Sequence, residues 1–598
     1  MPTSAQDAIA FSEIDFDYII VGGGTAGLTV AARLSEDSSL QIGVLEAGEL
    51  RQDDPAISTP FRSFSLLENP AYDWMFKTIP QKQLNNRSVD WPRGKVVGGS
   101  SAINFQSFVR GAPTEYDDWE ALGNEGWNWK NLCPYFKKVE SFTPIPNGEA
   151  SARGAYRLSD HGRDGTINTT ITDDFASPIY NLWQSTWDKL GVPTVPTAGE
   201  RTVGVQSWMS SIDAVTGTRS SSLTAYYNPN AARPNLRLLP EASVLSVAFQ
   251  TEANELVASG VRFIVGDKEY MCRARKEVIL AAGTIQSPGI LERSGIGSRD
   301  ILDEHGIEIL FENRGVGENL QDHILTAMGY EVSDERYSLD ATVGSPERIA
   351  AAMAEYQETR SGLFARGSTV GAFTSYEQTG QAVATLEHTV RNSPASSSIQ
   401  KQHDIQLKRL RDPNIPAFQW AVSPFYMEML FQEPKPADAK GCIAVVSGVS
   451  APFSRGSIHI TSNRPKDSPE IDPRYLEHKA DIQLLTAASR QSARLTATAP
   501  LSGAIGRVLL PAKPLITDED YEKHARHVLS TYFHPIGTCS MLPLEDGGVV
   551  DSRLIVYGTK NLRVADASVF PLHISGNIQW TVYAVAERAA DIVKQGEK

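Results

Sequence analysis

The alternation of apolar and polar stretches near the start of the chain predicts a strand, a turn, a helix and a second strand between residues 16 and 46. Residues 18–21 are a short apolar run, and residues 28–34 continue with apolar positions at helical spacing. Residues 42–45 form a second apolar run, of a length that is typical of a buried strand. Because this run ends in Glu46, we expect an acidic side chain at the end of the second strand.

Three glycines at the predicted turn have the spacing G-x-G-x-x-G. In dinucleotide-binding folds the first glycine permits the turn, the second lets the backbone approach a pyrophosphate, and the third lets the helix lie close to the strand. The N–H groups at the helix N-terminus can bind phosphate, and an acid at position 46 can bind a ribose diol, which fits FAD or NAD rather than NADP. Three glycines can also mark a surface turn, but the strand, helix and acid in register favour dinucleotide binding. The predicted contacts in this unit are Gly22, Gly24, Thr25, Ala26, Gly27, Glu46 and Ala47.

Further apolar runs predict strands at residues 236–249, 255–263 and 277–282. Since strands and helical patterns alternate over residues 16–300, we expect an α/β fold with a parallel sheet. The later glycine-rich stretches do not complete a second G-x-G-x-x-G, so a separate NAD site is not expected.

A second glycine-rich loop covers residues 94–104. Gly98 and Gly99 are followed by the hydroxyl groups of Ser100 and Ser101, and Asn104 adds an amide. Such a loop can bind a phosphate or the edge of a ring, although a GGSS stretch taken alone can also be a flexible loop.

Two neighbouring segments in the second half differ sharply in character. Residues 378–413 are polar, with several serines and a run of Lys and Arg, and they predict a surface insertion. Residues 418–431 are apolar and aromatic, which suits a sheet that forms a wall of a substrate cavity.

Composition and charge limit the classes of function. At 598 residues the chain exceeds the size of one hydrophobic core, so two or more domains are expected. The net charge of −15 argues against a nucleic-acid or anionic membrane surface, and the four scattered cysteines argue against a disulfide scaffold or a thiolate metal site. No signal peptide or membrane-spanning run is visible, which predicts a cytoplasmic protein with free thiols.

Four ordered motifs resemble the glucose-methanol-choline (GMC) family of FAD oxidoreductases, over residues 16–325 and 450–595. They are residues 22–46, residues 94–104 continuing to Arg110, residues 283–297, and a C-terminal set at 530–541, 564–571 and 574–579. The resemblance implies a Rossmann-like FAD-binding domain, formed by residues 12–325 and 540–598, interleaved with a substrate-binding domain on a mostly antiparallel sheet, mainly residues 326–539.

The resemblance also implies roles for individual residues. The histidine that matches His534 faces the flavin N5 edge in the family and would be the general base, and Asn577 fills the second position, where an amide can stabilise a developing alkoxide. His323 and His573 lack this support and are expected to be structural. Ile103, which precedes Asn104, favours FAD that is not covalently attached. Further cofactor contacts are expected at Arg93, Val97, Gly98, Gly99, Ser100, Asn104, Phe105, Val244, Asp566, Ala567, Asn577, Ile578 and Gln579.

The expected activity is oxidation of an alcohol, in particular a primary alcohol on an aromatic or secondary-metabolite skeleton, with O₂ or another oxidant as electron acceptor. Two alternatives remain open: a flavoprotein of this fold without net redox chemistry, such as a lyase or cyclase, and a binding protein with vestigial FAD. Oxidase and dehydrogenase are not distinguished, and neither are monomer and homodimer. The partners expected are small molecules, without nucleic acid, membrane or metal.

Overall fold

The computed structural model describes residues 3–144, 155–171, 177–253, 255–367 and 370–596 of the chain. Two seven-stranded sheets dominate the fold. The first sheet combines parallel strands with an antiparallel extension, whereas the strand pairs of the second sheet are all antiparallel. The mixed α/β class expected from the sequence is confirmed.

The first sheet has Asp15–Val21 at its centre, in parallel with its neighbour on each side. Six of the seven residues of this strand are buried, as expected for a strand that is covered on both faces. In spatial order the sheet consists of Leu236–Leu239, Ile42–Leu45, Asp15–Val21, Lys268–Leu280, Glu255–Val265 and Ser243–Glu252, with Leu562–Val564 paired to Lys268–Leu280.

The helix Thr25–Leu34 packs against the first sheet at a very short distance from the preceding turn. A Cβ atom placed on Gly27 would lie only 1.8 Å from the carbonyl oxygen of Gly22, so no side chain fits between the helix and the strand. The helix Ile578–Gly596 packs beside it, and the buried carboxylate of Glu587 lies 2.8 Å from Arg33. Residues from two distant parts of the chain therefore complete one helical layer.

The second sheet is built mainly from the second half of the chain, but its edge strand comes from residues 204–207. In spatial order it consists of Ile505–Leu510, Ile324–Val332, Cys442–Val449, Phe418–Ser423, Val370–Thr374 and Gly204–Ser207, with Ser530–Thr531 paired to Ile324–Val332. Residues 418–431 begin as a strand of this sheet, as expected, and then leave it to form the short helix Glu428–Phe431.

The prediction of a surface insertion at residues 378–413 is wrong for its second half. The helix Ser397–Arg411 buries Gln402, His403 and Arg409. The guanidinium of Arg409 lies 2.7 Å from Asp118, a residue far away in the chain. The polar pattern is misleading here because the polar groups have polar partners inside the protein.

Other helices and small sheets surround these two layers. Within the described residues, the remaining helices of eight or more residues are Ala5–Ser12, Pro113–Ala121, Trp129–Val139, Ile179–Lys189, Gly283–Arg293, Pro346–Thr359, Val383–Arg391, Lys479–Thr496 and Asp518–Val528. Small sheets join Glu140–Phe142, Ile167–Ile171 and Met209–Ser210, Phe76–Lys77 and Asp90–Trp91, and Ser457–His459 and Glu470–Asp472. Across the described ranges, none of the helices has the length and apolar character needed to cross a bilayer.

Candidate active site

A cavity of 480 Å³ lies between the two sheets. On one side it meets the carboxyl ends of parallel strands of the first sheet, at Val21 and Leu45. On the other side it is lined by residues of the second sheet, including Ala421 and Val446. The carboxyl ends of parallel strands are the usual place for a ligand site in an α/β sheet.

Most residues singled out in the sequence line this cavity. The residues that do so are Gly22, Gly24, Thr25, Ala26, Glu46, Ala47, Arg93, Gly99, Ser100, Asn104, Phe105, Val244, His534, Asp566, Ala567, Asn577, Ile578 and Gln579. Gly27, Val97 and Gly98 are not part of the lining. Gly27 instead allows the close contact between helix and strand, and the amide of Gly98 donates a hydrogen bond to the carbonyl of Gly23 at 2.8 Å.

The two glycine-rich loops contact each other at the cavity wall. Gly99 has φ of +51°, and a Cβ atom there would lie 2.7 Å from the Cα of Gly24. A Cβ atom on Gly24 would lie 3.7 Å from Gly99, which is an ordinary contact distance. Glycine at position 99 is therefore required by the protein itself, whereas glycine at position 24 leaves open space in the cavity.

Glu46 stands at the end of its strand, as the sequence predicts. Its two carboxylate oxygens each accept a backbone hydrogen bond at 2.8 Å, one from Gly23 and one from Gly48. Burial raises the pKa of Glu46 to about 7, although these hydrogen bonds act in the opposite direction. The carboxylate is held at the cavity wall and retains lone pairs that can accept hydrogen bonds from hydroxyl groups.

Arg93 brings unpaired hydrogen-bond donors to the same cavity. Its Nε and Nη2 atoms are buried and have no hydrogen-bond partner among the described residues. Burial lowers the pKa of this guanidinium to about 10, so it remains cationic near pH 7. Since buried donors are normally paired, these two atoms point to a bound group with acceptor oxygens or nitrogens.

Asp566 connects the cavity to the start of the helix Gly283–Arg293. One oxygen of its carboxylate accepts hydrogen bonds from the amide of Gly283 at 2.8 Å and from the hydroxyl of Ser287 at 2.6 Å. An acidic group at a helix N-terminus is electrostatically favourable. Asp566 is therefore fixed in place by the protein.

Asn104 and Gln579 meet on another wall, where the side-chain amide of Asn104 donates to Gln579. The buried guanidinium of Arg219 donates to both oxygens of Asn104, and Gln579 in turn donates to Ser211 at 3.2 Å. Burial lowers the pKa of Arg219 to about 9. The sequence does not predict Arg219 as a site residue, because nothing at its position indicates contact with a loop more than 100 residues earlier.

His534 and Asn577 lie together at the cavity wall, as the family resemblance implies. Nε2 of His534 lies 3.2 Å from the amide nitrogen of Asn577. The amide oxygen of Asn577 accepts a hydrogen bond from Gln419 at 3.0 Å. This second contact turns the NH₂ group of Asn577 towards the imidazole.

His323, which was expected to have only a structural role, is in direct contact with His534. The Nδ1 atoms of the two rings are 2.9 Å apart, and Nε2 of His323 lies 2.8 Å from the carbonyl oxygen of Ile574. His573 stacks on His323 with 3.6 Å between ring centroids and donates from Nε2 to the carbonyl of His534 at 2.9 Å. The stretch that ends in His323 stands out in the sequence, but nothing there indicates its contact with His534.

All three imidazoles of this cluster are buried, and burial favours their neutral form. It lowers the pKa of His323 to about 4. The pKa values of His534 and His573 are well below the usual range, chiefly through burial and additionally through the neighbouring imidazoles. For His534 the cationic Arg93 acts in the same direction. These histidines are therefore neutral near pH 7.

Four aromatic rings form part of the cavity wall. Phe64 contacts Phe105 and Phe425 with ring centroids 4.7 and 5.4 Å apart, and Phe105 contacts Phe533 at 6.2 Å. Phe64 is 38% exposed, so this aromatic cluster extends to the surface. Such a wall suits an apolar, flat ligand.

Comparison with known proteins places these features in a family context. Residues 16–325 match the N-terminal region and residues 452–586 the C-terminal region that define the GMC oxidoreductases. Over 98% of its length the chain is 35% identical to the dehydrogenase citC of Monascus ruber, and it covers 97% of that protein. An FAD-dependent oxidoreductase from Chaetomium thermophilum has a TM-score of 0.89 at 31% identity, with 98% of this chain and 100% of that chain covered. A fungal aryl-alcohol oxidase has a TM-score of 0.85 at 28% identity, with 98% and 99% covered.

Proposed function

The chain belongs to the GMC family of FAD-dependent oxidoreductases, and we propose that it oxidises an alcohol with His534 as the general base. The observation that supports this proposal most directly is the contact between His534 and Asn577 on the wall of the cavity that the glycine-rich loops and the aromatic rings also line. An alcohol bound there would have its hydroxyl group beside a neutral imidazole.

The residues of the cavity fit FAD. The two glycine loops leave room for close backbone approach, the helix N-terminus at Thr25 offers free N–H groups, and Glu46 offers a carboxylate for a ribose diol. The unpaired donors of Arg93 can bind acceptors of the same cofactor. The side chain at position 103 is an isoleucine, which offers no nucleophile, and we propose that the FAD is held without a covalent bond.

FAD supplies the hydride-accepting chemistry when it is bound, and the protein controls the proton and the alcohol oxygen. A neutral imidazole can accept the hydroxyl proton of the alcohol, and this role is open to His534 because burial lowers its pKa. The NH₂ group of Asn577 can donate to the alcohol oxygen as negative charge develops on it. Its orientation is set in advance by Gln419, so it need not be reorganised during the reaction.

The substrate class we propose is a primary alcohol on an aromatic or secondary-metabolite skeleton. The cluster of Phe64, Phe105, Phe425 and Phe533 supports it, since all four rings line the cavity and aromatic side chains favour flat, apolar ligands. Met427 and Met429 add flexible apolar surface to the same wall. The fungal aryl-alcohol oxidase among the structural relatives is consistent with this class.

The test is anaerobic mixing of the FAD-loaded protein with benzylic alcohols and with aliphatic alcohols of similar size, followed by admission of air. Absorbance at roughly 450 nm reports the oxidised flavin. Bleaching by the benzylic series alone would support the full proposal, and equal bleaching by small aliphatic alcohols would refute the aromatic substrate class. Absence of bleaching with every alcohol would refute alcohol oxidation and favour a non-redox flavoprotein of the same fold. Rapid return of colour in air would identify an oxidase, and slow return a dehydrogenase.

A further inference from the structure

We propose that His323 is a positioning residue that fixes the tautomer of His534, so that the Nε2 atom of His534 carries no proton. This inference rests on the proposed function, because it concerns the residue that acts there as the base. A base needs a free lone pair on the atom that faces the substrate. In an imidazole, that requirement is met only if the proton is held on the other nitrogen.

The first step of the argument concerns the tautomer of His323. Its Nε2 atom lies 2.8 Å from the carbonyl oxygen of Ile574. The backbone of Ser450 also interacts with this imidazole, but the carbonyl of Ile574 is the stronger of the two partners. A carbonyl oxygen can only accept a hydrogen bond, so Nε2 carries the proton. A neutral imidazole has one N–H group, and Nδ1 of His323 is therefore a bare acceptor.

The second step concerns the contact between the two rings. The Nδ1 atoms of His323 and His534 are 2.9 Å apart, which is a hydrogen-bond distance. Two bare nitrogens would repel each other at this distance, so one of them must donate. Since Nδ1 of His323 is an acceptor, the proton is on Nδ1 of His534, and its Nε2 atom is left with a free lone pair.

The opposite side of the His534 ring leads to the same assignment. Nε2 of His534 lies 3.2 Å from the amide nitrogen of Asn577, which is a donor. The oxygen of the same amide accepts from Gln419 at 3.0 Å, and turning the Asn577 amide alone would bring two NH₂ groups into contact. A donor faces Nε2, and this requires Nε2 to be an acceptor.

The surroundings hold both rings in this geometry. His323 is 1% exposed and stacks on His573 with an interplanar angle of 26°. The backbone of His534 is fixed twice: its amide donates to Asp322 at 3.1 Å, and its carbonyl accepts from His573 at 2.9 Å. The chain of hydrogen bonds from Ile574 through His323 to His534 is thus anchored at a backbone carbonyl, which cannot change its role.

Two variants of similar size separate the tautomer effect from a general packing effect. In His323→Asn the amide oxygen can take the place of Nδ1 and accept the proton of His534. In His323→Gln the longer amide reaches the place of Nε2 and leaves no acceptor beside His534. With FAD loading matched, we expect His323→Gln to slow flavin reduction by on the order of 10²-fold with the substrate dissociation constant unchanged, since it impairs a general base. We expect His323→Asn to restore most of this loss.

A readout that does not depend on activity tests the tautomer directly. Nitrogen chemical shifts of the FAD-loaded, ¹⁵N-histidine-labelled protein near pH 7.5 distinguish Nδ1–H, Nε2–H and imidazolium, and the His534→Gln variant assigns the signal. We expect Nδ1–H for His534 in the wild type and in His323→Asn, and a mixture or Nε2–H in His323→Gln. A wild-type His534 that carries its proton on Nε2, or on both nitrogens, would overturn the inference.

The two proposals fail in different ways. If His534→Ala reduces flavin at the wild-type rate while the nitrogen shifts show the expected tautomers, the assignment of the base is wrong and the positioning by His323 stands. If His323→Gln and His323→Asn have equal rates and equal His534 shifts, the positioning role is wrong whatever the activity of His534→Ala.

Discussion

Gln419 donates a hydrogen bond from Nε2 to the amide oxygen of Asn577, at 3.0 Å. Gln419 belongs to the second sheet, and Asn577 directly precedes the helix Ile578–Gly596. One sheet therefore sets the orientation of an amide that is carried by another part of the fold. As a result, the NH₂ group of Asn577 faces His534.

Replacing Gln419 by Glu is expected to turn this amide round. A carboxylate accepts only, so Asn577 would direct its NH₂ group to position 419 and its oxygen to Nε2 of His534. We expect flavin reduction to slow by about 10-fold or more, because a stabilising donor beside the alcohol oxygen is lost. Stopped-flow reduction at matched FAD content measures it. In the control Gln419→Leu the amide is free to rotate and the loss should be smaller; equal losses in both variants would contradict the orientation argument.

His534→Ala should keep FAD bound but slow flavin reduction by roughly 10²-fold or more, which is typical of the removal of a general base. The matched control is His524→Gln, because His524 is also buried but bonds to the carbonyl of Ala327 away from the cavity. The absorbance spectrum gives FAD content, and anaerobic stopped-flow gives the rate. A near-wild-type rate in His534→Ala would refute the assignment.

Gly24→Val is expected to abolish FAD retention and to leave the apoprotein folded. A Cβ atom at position 24 has an ordinary contact of 3.7 Å with Gly99, so the added methyl groups occupy the cavity rather than collide with the protein. Gly27→Ala is the contrasting variant, since its Cβ atom would lie 1.8 Å from the carbonyl oxygen of Gly22 and should destabilise the fold itself. Flavin absorbance and thermal unfolding distinguish the two effects. A fully yellow Gly24→Val protein would contradict the prediction.

The rate constant of flavin reduction should be independent of pH between about 6.5 and 8, where an ordinary histidine base would still be titrating at the lower end. Burial, together with His323 and Arg93, lowers the pKa of His534, so its neutral, active form persists to lower pH and the rate falls only on the acid side. Burial raises the pKa values of Asp322 and Glu46 to about 6 and about 7, so FAD content must be recorded at each pH. An acid limb with an apparent pKa above 6.5 at constant FAD content would disagree with this assignment.

Arg409→Met should lower the free energy of unfolding by about 3–5 kcal/mol, because it leaves the buried carboxylate of Asp118 without its cation. The same guanidinium also donates to the carbonyl of His573 at 2.6 Å, so that carbonyl loses a donor as well. Urea titration at saturating FAD measures the change. The control is Arg391→Ala, which breaks an exposed pair with Glu387 and should change stability far less, because solvent screens that pair. Similar changes in the free energy of unfolding in both variants would show that burial does not increase the contribution of the Arg409 ion pair.

The part of the fold that was predictable from the sequence is the part specified by local patterns. The central strand Asp15–Val21, the helix Thr25–Leu34 and the strand Ile42–Leu45 follow from apolar runs and from glycine spacing over a short stretch. The physical reason is that burial on both faces of a parallel strand demands a continuous apolar run. Glu46 then stands at the cavity wall because the strand ends there.

The features that the sequence could not show depend on partners far away in the chain. His323 and His534 are 211 positions apart, and Arg409 and Asp118 are 291 positions apart. A polar residue is predicted to be exposed because the sequence does not show which residue will be its partner. Its burial becomes favourable only once that partner is in place. For the same reason the polar pattern over residues 378–413 wrongly predicts surface for the helix Ser397–Arg411, and the sequence predicts only a structural role for His323.

The ion pair between Arg33 and Glu587 has a consequence for how the protein is made. The two residues are 554 positions apart, yet both belong to the helical layer beside the central strand of the first sheet. While the ribosome is still translating the intervening segments, the guanidinium of Arg33 has no Glu587 to bind, and the strand Leu562–Val564 is missing from the sheet. The nucleotide-binding unit begins early in synthesis but can mature only after nearly the whole polypeptide has emerged, so we expect cofactor loading to follow translation rather than accompany it.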